Sequence, residues 1–400
     1  MKTQNSSPHI GIFGRRNVGK SALINALTGQ EIAIVSEVAG TTTDPVKKTM
    51  EISGIGPVVL IDTAGMDDVN ELGKKRIEKT QNTLKQIDLA IIVITDYLFE
   101  ETEENIVKQL QALDTPFIVV NNKSDITQCI VETQCIASLP NGPVISISAK
   151  TGSGISELIE AMKQKMPVSA YHTHSLLEGL VKENDTVLLI TPIDSAAPEG
   201  RLILPQVQTI RAILDADAVA VVMKEDKVVE TQCIASLQPQ PNLVITDSQV
   251  FKTIAPLIPE NIPLTSFSIL LARYKGDYDN YLKGTPQIEH LKDGDTVLVM
   301  ESCTHLTSCE DIGRVKIPKW LTEYTGKNLH FDFVSGLTPI ENIEKYALVV
   351  QCGGCMITKK QILNRLKPAV DAGIPITNYG MLIAYLTGIF ERATRLVVKR

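Results

Sequence analysis

The stretch Gly14-Arg15-Arg16-Asn17-Val18-Gly19-Lys20-Ser21 decides the architecture of the first part of the chain. It follows the apolar run His9-Ile10-Gly11-Ile12-Phe13 and precedes Ala22-Leu23-Ile24-Asn25-Ala26-Leu27, which has a helical pattern. A strand, a glycine loop and a helix N-terminus in that order make a cradle for a polyphosphate. Glycines let backbone N–H groups turn inward on the anion, and the helix end adds partial positive charge. Residues Asn17 to Ala22 would wrap the phosphates, with Lys20 reaching the outer ones and the Ser21 hydroxyl ligating Mg²⁺.

Four more motifs follow in order. Gly40-Thr41-Thr42-Thr43-Asp44 offers loop hydroxyls where a second Mg²⁺ ligand is needed, Thr41 and Thr42 being the candidates. Asp62-Thr63-Ala64-Gly65 follows the strand Val58-Val59-Leu60-Ile61; Asp62 can hold the metal's water shell and the Gly65 N–H can meet the γ-phosphate. Asn122-Lys123-Ser124-Asp125 follows the strand Phe117-Ile118-Val119-Val120. The Asp125 carboxylate can accept two hydrogen bonds from N1 and the 2-amino group of guanine, a pair that adenine lacks. Ser148-Ala149-Lys150 then closes on the base. Together these resemble the five-element signature of translation-factor-type GTPases, over roughly residues 8 to 167. That resemblance implies a P-loop GTPase fold binding GTP and Mg²⁺.

Two details narrow the subtype. Met66 stands where a Ras-like enzyme carries the glutamine that orients the attacking water, and a thioether cannot do so. Asn17 and the Gly40-Thr41-Thr42 loop are similar to the potassium-activated GTPases related to the tRNA-modification enzyme. In those, the asparagine and loop carbonyls hold K⁺, whose charge falls between the β- and γ-phosphates. The expectation is slow, K⁺-stimulated GTP hydrolysis, with Lys20, Thr42 and Gly65 at the reacting phosphate. Glu71 is the candidate carboxylate for polarising water.

Composition bounds the rest. Four hundred residues imply two or three domains, and 44% hydrophobic content suffices for folded cores. The net charge of −7 carries no basic run, so no nucleic-acid partner is expected. No apolar stretch has the length of a membrane span, and Met1 to Pro8 is polar, so a cytoplasmic location is expected. Seven cysteines, an odd count, argue for thiols or metal ligands over a disulfide framework.

The sequence divides into a nucleotide domain at 1–170 and two smaller α/β domains at 171–265 and 266–400. Strands are expected near 186–192, 218–223 and 243–248, with helices at 205–214 and 249–255. Between His174 and His290 the chain carries no histidine, and the middle region, without a glycine loop or paired acids, reads as a structural or association module. Val131 to Leu139 and Val229 to Leu237 repeat the same nine residues, VETQCIASL, without a physical reason. In the last domain, strands at 296–300 and 346–350 run into Glu301-Ser302-Cys303-Thr304-His305 and Gln351-Cys352-Gly353-Gly354-Cys355. A helix follows at 358–372. Alternating strands and helices favour a parallel sheet, whose sites lie beyond the strand carboxyl ends. Both cysteine groups therefore fall on one edge, rimmed by expected loops at Phe333-Val334-Ser335-Gly336 and Ile376-Thr377-Asn378-Tyr379.

Three chemistries suit these cysteines: a redox-active C-x-x-C pair, a Cys₃His zinc site with Cys303 and His305, or three ligands of a four-iron cluster. The C-T-H…C-G-G-C arrangement behind a GTPase and a plain α/β module resembles the FeFe-hydrogenase maturation GTPases, the HydF family, along the whole chain. The resemblance implies a 4Fe–4S cluster on Cys303, Cys352 and Cys355, and a middle domain that forms a homodimer. It further implies a scaffold that receives a diiron precursor from radical-SAM maturases and passes it to apo-FeFe-hydrogenase. The family's histidine before C-x-x-C is replaced here by Gln351. The fourth ligand then lies among Glu310, His305, Cys309 and an exchangeable group, with Glu310 preferred. The alternatives are a tRNA-modification-type GTPase and a redox-sensing GTPase with a Cys352/Cys355 switch.

Overall fold

The computed structural model describes residues 7–28, 46–63, 83–126, 144–167, 175–192, 202–231, 240–302, 311–336, 338, 340, 342–355 and 357–395. The chain forms two compact units, Met1–Thr173 and His174–Arg400.

The first unit's strands are β1 (His9–Phe13), β2 (Val46–Ile52), β3 (Gly56–Asp62), β4 (Leu89–Thr95), β5 (Phe117–Asn122) and β6 (Ile145–Ser146). They form one sheet in the order β2-β3-β1-β4-β5-β6, parallel throughout except for the antiparallel pair β2/β3. Side chains alternate between two cores: Leu89, Ile91 and Val93 of β4 enter one, while Ala90, Ile92 and Ile94 enter the other. A sheet apolar on both faces needs helices on both. The helices Lys20–Thr28 and Ile155–Lys165 cover the first face through Leu23, Leu27, Leu158 and Met162. The helix Glu101–Ala112 covers the second through Ile106, Val107 and Leu110. All the motif loops that the structure describes leave the carboxyl ends of β1, β3, β5 and β6.

The second unit holds β7 (Thr186–Ile190), β8 (Val219–Met223), β9 (Leu243–Thr246) and β10 (Leu264–Ser266), then β11 (Thr296–Glu301), β12 (His330–Ser335), β13 (Tyr346–Gln351) and β14 (Ile376–Asn378). They form two four-stranded parallel sheets, ordered β8-β7-β9-β10 and β12-β11-β13-β14. Each runs second, first, third, fourth in chain order, so one topology occurs twice. In such a sheet the connections diverge between the first and third strands, which opens a crevice at their carboxyl ends. The two sheets share one core: Leu188 and Ile190 of β7 and Leu298 and Met300 of β11 belong to the same cluster of buried residues. The opposite faces, with Val187 and Leu189 or Val297 and Val299, pack into separate clusters.

The expected strands and helices are present, with two corrections. The loop expected at 333–336 is mostly the end of β12, and that expected at 376–379 is the whole of β14 with the first residue of the helix Tyr379–Leu386. β14 is too short to show a period, and Asp332 and His330 interrupt the apolar residues of the edge strand β12. β10, equally short, was not foreseen, and the 265/266 boundary drawn from sequence falls within it. Among the described residues no helix is long and apolar enough to cross a membrane.

Candidate functional site

In the first unit the β1 strand feeds Gly14 to Ser21 into the helix Lys20–Thr28. Asn17 and Gly19 take positive φ values of 63° and 94°, and a Cβ on Gly19 would collide with the Asn122 amide. Only glycine fits there. Val18 is buried, while Asn17, Ser21 and Ala22 are exposed at the mouth of the loop. Lys20 Nζ donates to Gly14 O at 2.9 Å and Arg15 O at 2.7 Å. Asn122 Nδ2 donates to Val18 O at 2.9 Å, and its Oδ1 accepts from Ala149 N at 3.0 Å. Ser148 Oγ donates to Asp125 Oδ1 at 2.7 Å, which sets the carboxylate's direction. Lys123 sits between them with φ 65°, exposed like Lys150. The first and last motifs are thus joined through Asn122.

Asp62 closes β3 beside β1, its Cα paired with that of Ile12. Burial raises its pKa, opposed by Lys20 and Lys48. Its Oδ1 is buried and finds no hydrogen-bond partner among the described residues. A buried carboxylate oxygen left open beside a phosphate loop fits the water shell of Mg²⁺. Thr41, Thr42, Gly65, Met66 and Glu71 lie outside the described residues.

Sequence reasoning missed Arg15. Its guanidinium donates through Nε and Nη2 to Glu103 at 3.0 and 2.7 Å, and pairs with Glu100 at 3.0 Å. Glu103 is 1% exposed and also accepts from Glu100 N, so one carboxylate caps the helix Glu101–Ala112 and anchors the phosphate loop.

The second unit has a cleft of about 220 Å³ at the carboxyl ends of both its sheets. Cys352, Gly353, Gly354 and Cys355 line it after β13, and Glu301 at the end of β11. The other sheet supplies Asp247 and Ser248 after β9, and Phe267 and Ser268 after β10. The region read as a plain module therefore builds one wall of the cysteine site. Gly313 and its neighbours, in the π-helix Ile312–Lys316, add a third side.

Cys352 and Cys355 are each partly buried. Burial pushes the Cys352 thiol up, opposed by hydrogen bonds from Ser302 and Gly354. Ser302 N donates to Cys352 Sγ at 3.1 Å, and the Ser302 hydroxyl lies 3.0 Å from the same sulfur. Gln351 is fully buried; its Nε2 donates to Ser302 Oγ at 3.0 Å and lies 3.4 Å from Cys352 Sγ. Gly354 takes φ 67°, where a Cβ would collide with Ile362. Around Gly353, in contrast, a Cβ would meet nothing closer than Leu271 Cδ1 at 3.5 Å, an ordinary contact. Two sulfurs on one wall, with donors aimed at one of them and a glycine backbone beside, suit a sulfur-ligated cluster. Cys303, His305, Cys309 and Glu310 lie outside the described residues, as do Cys129, Cys135 and Cys233. Among the described residues no three metal-ligating side chains are gathered.

Arg365, buried on the helix Lys359–Asp371, donates to Glu301 O at 3.1 Å and Val334 O at 3.2 Å, bridging the ends of β11 and β12. Nothing in the sequence marks Arg365 as part of a site, and Ser302 and Gln351 appear there only as residues of the cysteine motifs. The neighbouring cysteines were the one available signal.

Comparison with known proteins gives three matching family models. Residues 9–123 match the 50S ribosome-binding GTPase model, 176–276 the hydrogen maturase F dimerization domain, and 279–396 the hydrogen maturase F tetramerization domain. The tRNA modification GTPase MnmE of Heliobacterium modesticaldum is 38% identical over 157 residues, covering 38% of this chain and 33% of that protein. That of Hamiltonella defensa is 39% identical over 173 residues, covering 40% and 35%. The chain thus spans about a third of the length of these curated relatives. A crystal structure of Era from Aquifex aeolicus aligns with a TM-score of 0.34 at 20% identity, covering 55% of this chain and 93% of that one. The hydrogen maturase F models between them take in most of the second unit, behind a GTPase domain, and the chain belongs to the hydrogen maturase F family.

Proposed function

We propose that this protein hydrolyses GTP and serves as an iron–sulfur scaffold in FeFe-hydrogenase maturation. In the nucleotide domain, Lys20 meets the outer phosphates and the backbone of Gly19, Ser21 and Ala22 donates to them. Ser21 and Thr42 hold Mg²⁺, Asp62 its water shell, and Asp125 reads guanine while Ser148 keeps it oriented. Asn17 and the Thr41–Thr42 loop hold K⁺, the Gly65 N–H meets the γ-phosphate, and Glu71 polarises water. The magnesium and potassium supply positive charge against which the phosphate oxygens are stabilised.

In the second unit, Cys303, Cys352 and Cys355 hold a 4Fe–4S cluster, with Glu310 at the fourth iron. A cluster held by three thiolates offers an iron that a diiron cargo can bridge. Ser302 and Gln351 orient Cys352 and direct hydrogen bonds to its sulfur. The observation that carries this reading is the pairing of Cys352 and Cys355 on one cleft wall, with Ser302, the residue before Cys303, hydrogen-bonded to Cys352 Sγ at 3.1 Å. Radical-SAM maturases deliver the cargo and apo-hydrogenase accepts it. The chain associates with copies of itself, in keeping with the dimerization and tetramerization domains. Val219 and Val222 on the edge strand β8, exposed by 54% and 45%, suit such a contact.

The tRNA-modification alternative is less well supported, because the relatives of that name align with the first unit alone. The redox-switch alternative calls for a thiol of lowered pKa, opposite to the direction at Cys352. One anaerobic preparation tests both halves. Iron and sulfide near four each per chain, largely lost in Cys352→Ser, and phosphate release faster in K⁺ than in Na⁺ are the expected results. Zinc or a metal-free dithiol sinks the scaffold reading, and equal turnover in the two salts sinks the potassium site.

A further inference from the structure

Lys275 ends the helix Phe267–Lys275 and is only 1% exposed. Its ammonium faces carbonyls: Nζ donates to Ile357 O at 3.1 Å and to Gly354 O and Cys355 O at 3.4 Å each. All three acceptors belong to the loop that carries Cys352 and Cys355. Burying a cation costs several kcal/mol, and a methionine of similar length would fill the same space without that cost. A fold that needed only packing would not use lysine here.

The peptide geometry shows what the ammonium does. In a planar trans peptide the C=O and N–H point in opposite directions. Holding Gly354 O toward Lys275 therefore turns the Cys355 N–H away from it. The ammonium lies at the backbone of Cys355, whose sulfur would be anionic when ligated.

Resting on the cluster reading above, we infer that Lys275 is a positioning residue for the cysteine site: it pins the Cys352–Ile357 loop and stabilises the anionic, iron-bound state. Lys275 falls in the segment matching the dimerization model, while both cysteines fall in the segment matching the tetramerization model. The site is thus completed from outside its own sheet.

The test compares Lys275→Met, which removes donor and charge, with Lys275→Gln, which keeps a donor. In metal-free full-length protein, Lys275→Met should speed amide hydrogen exchange across 353–357 roughly tenfold, the equivalent of one net hydrogen bond. Lys275→Gln should do so less. In anaerobically loaded protein, both variants should lower the midpoint potential of the cluster, because a nearby cation favours the more negative reduced form. Unchanged exchange in a folded Lys275→Met overturns the pinning, and unchanged potentials at full iron content overturn the electrostatic role. Should neither variant fold, the wild type decides: its 353–357 amides should exchange as slowly as those of β13, and fast exchange overturns the inference. If the wild type binds no iron, the cluster reading fails, while exchange in metal-free protein still decides whether Lys275 pins the loop.

Discussion

Asn122 uses both ends of its amide, holding the phosphate loop through Val18 O and the base loop through Ala149 N. Both bonds tie loop to loop, at a residue the sequence motif marks for the nucleotide. The motif alone does not show this, since only the fold reveals which groups surround a buried amide. His9 shows the same limit more sharply. It opens β1 inside an apolar run, and burial, aided by Lys47 and opposed by a hydrogen bond with Ser7 O, lowers its pKa to about 4. The folded state keeps His9 neutral at a pH where the unfolded chain protonates it. Stability should therefore fall as pH drops from 6.5 toward 4, by up to about 3 kcal/mol at the lower end. Denaturation midpoints measured across that window should flatten in His9→Gln; an identical slope would remove His9 from the explanation.

At the scale of elements, the helix Glu101–Ala112 and the phosphate loop are coupled through the Arg15–Glu103 pair. Glu103→Ala should cost about 3–5 kcal/mol, because it strips a half-buried guanidinium of its main partner and the helix of its cap. GTP affinity should weaken as well, by isothermal titration, since the loop loses its anchor. A variant with unchanged affinity would show that Gly14 to Ser21 needs no support from this helix. The first sheet was legible because its strands are long apolar runs ending in chemistry-bearing loops, as with Val58 to Asp62. β10 and β14 were not, being three residues each and buried by tertiary packing alone. Lys275 was invisible for another reason: a basic residue in the last turn of a helix is the ordinary complement to the helix dipole. Only the carbonyls it meets distinguish it.

For the whole second unit, the shared core makes the two sheets one cooperative body. Arg392, near the chain's end, donates to Ala255 O, Ile258 O, Pro259 O and Ile262 O at 2.8–3.3 Å, and Thr265 Oγ1 donates to Ala393 O. Arg392→Ala should lower stability by about 2–4 kcal/mol through unsatisfied buried carbonyls. Calorimetry should show the unit still melting in a single transition; a split into two would mean that the sheets are independent domains. From sequence the middle region reads as an association module apart from the cysteines, because neither β9 nor β10 carries a residue type that announces a site. Topology, repeated in the two sheets, brought their carboxyl ends to the same cleft. That shared core has a mechanical consequence. With walls borne on two sheets fused by interlocking aliphatic side chains, the described residues give the cleft no joint about which to swing. A visitor too broad for its mouth must shift surface loops, since prying the sheets apart would wet Leu188, Leu298 and their neighbours at roughly 1.5–3 kcal/mol for each side chain.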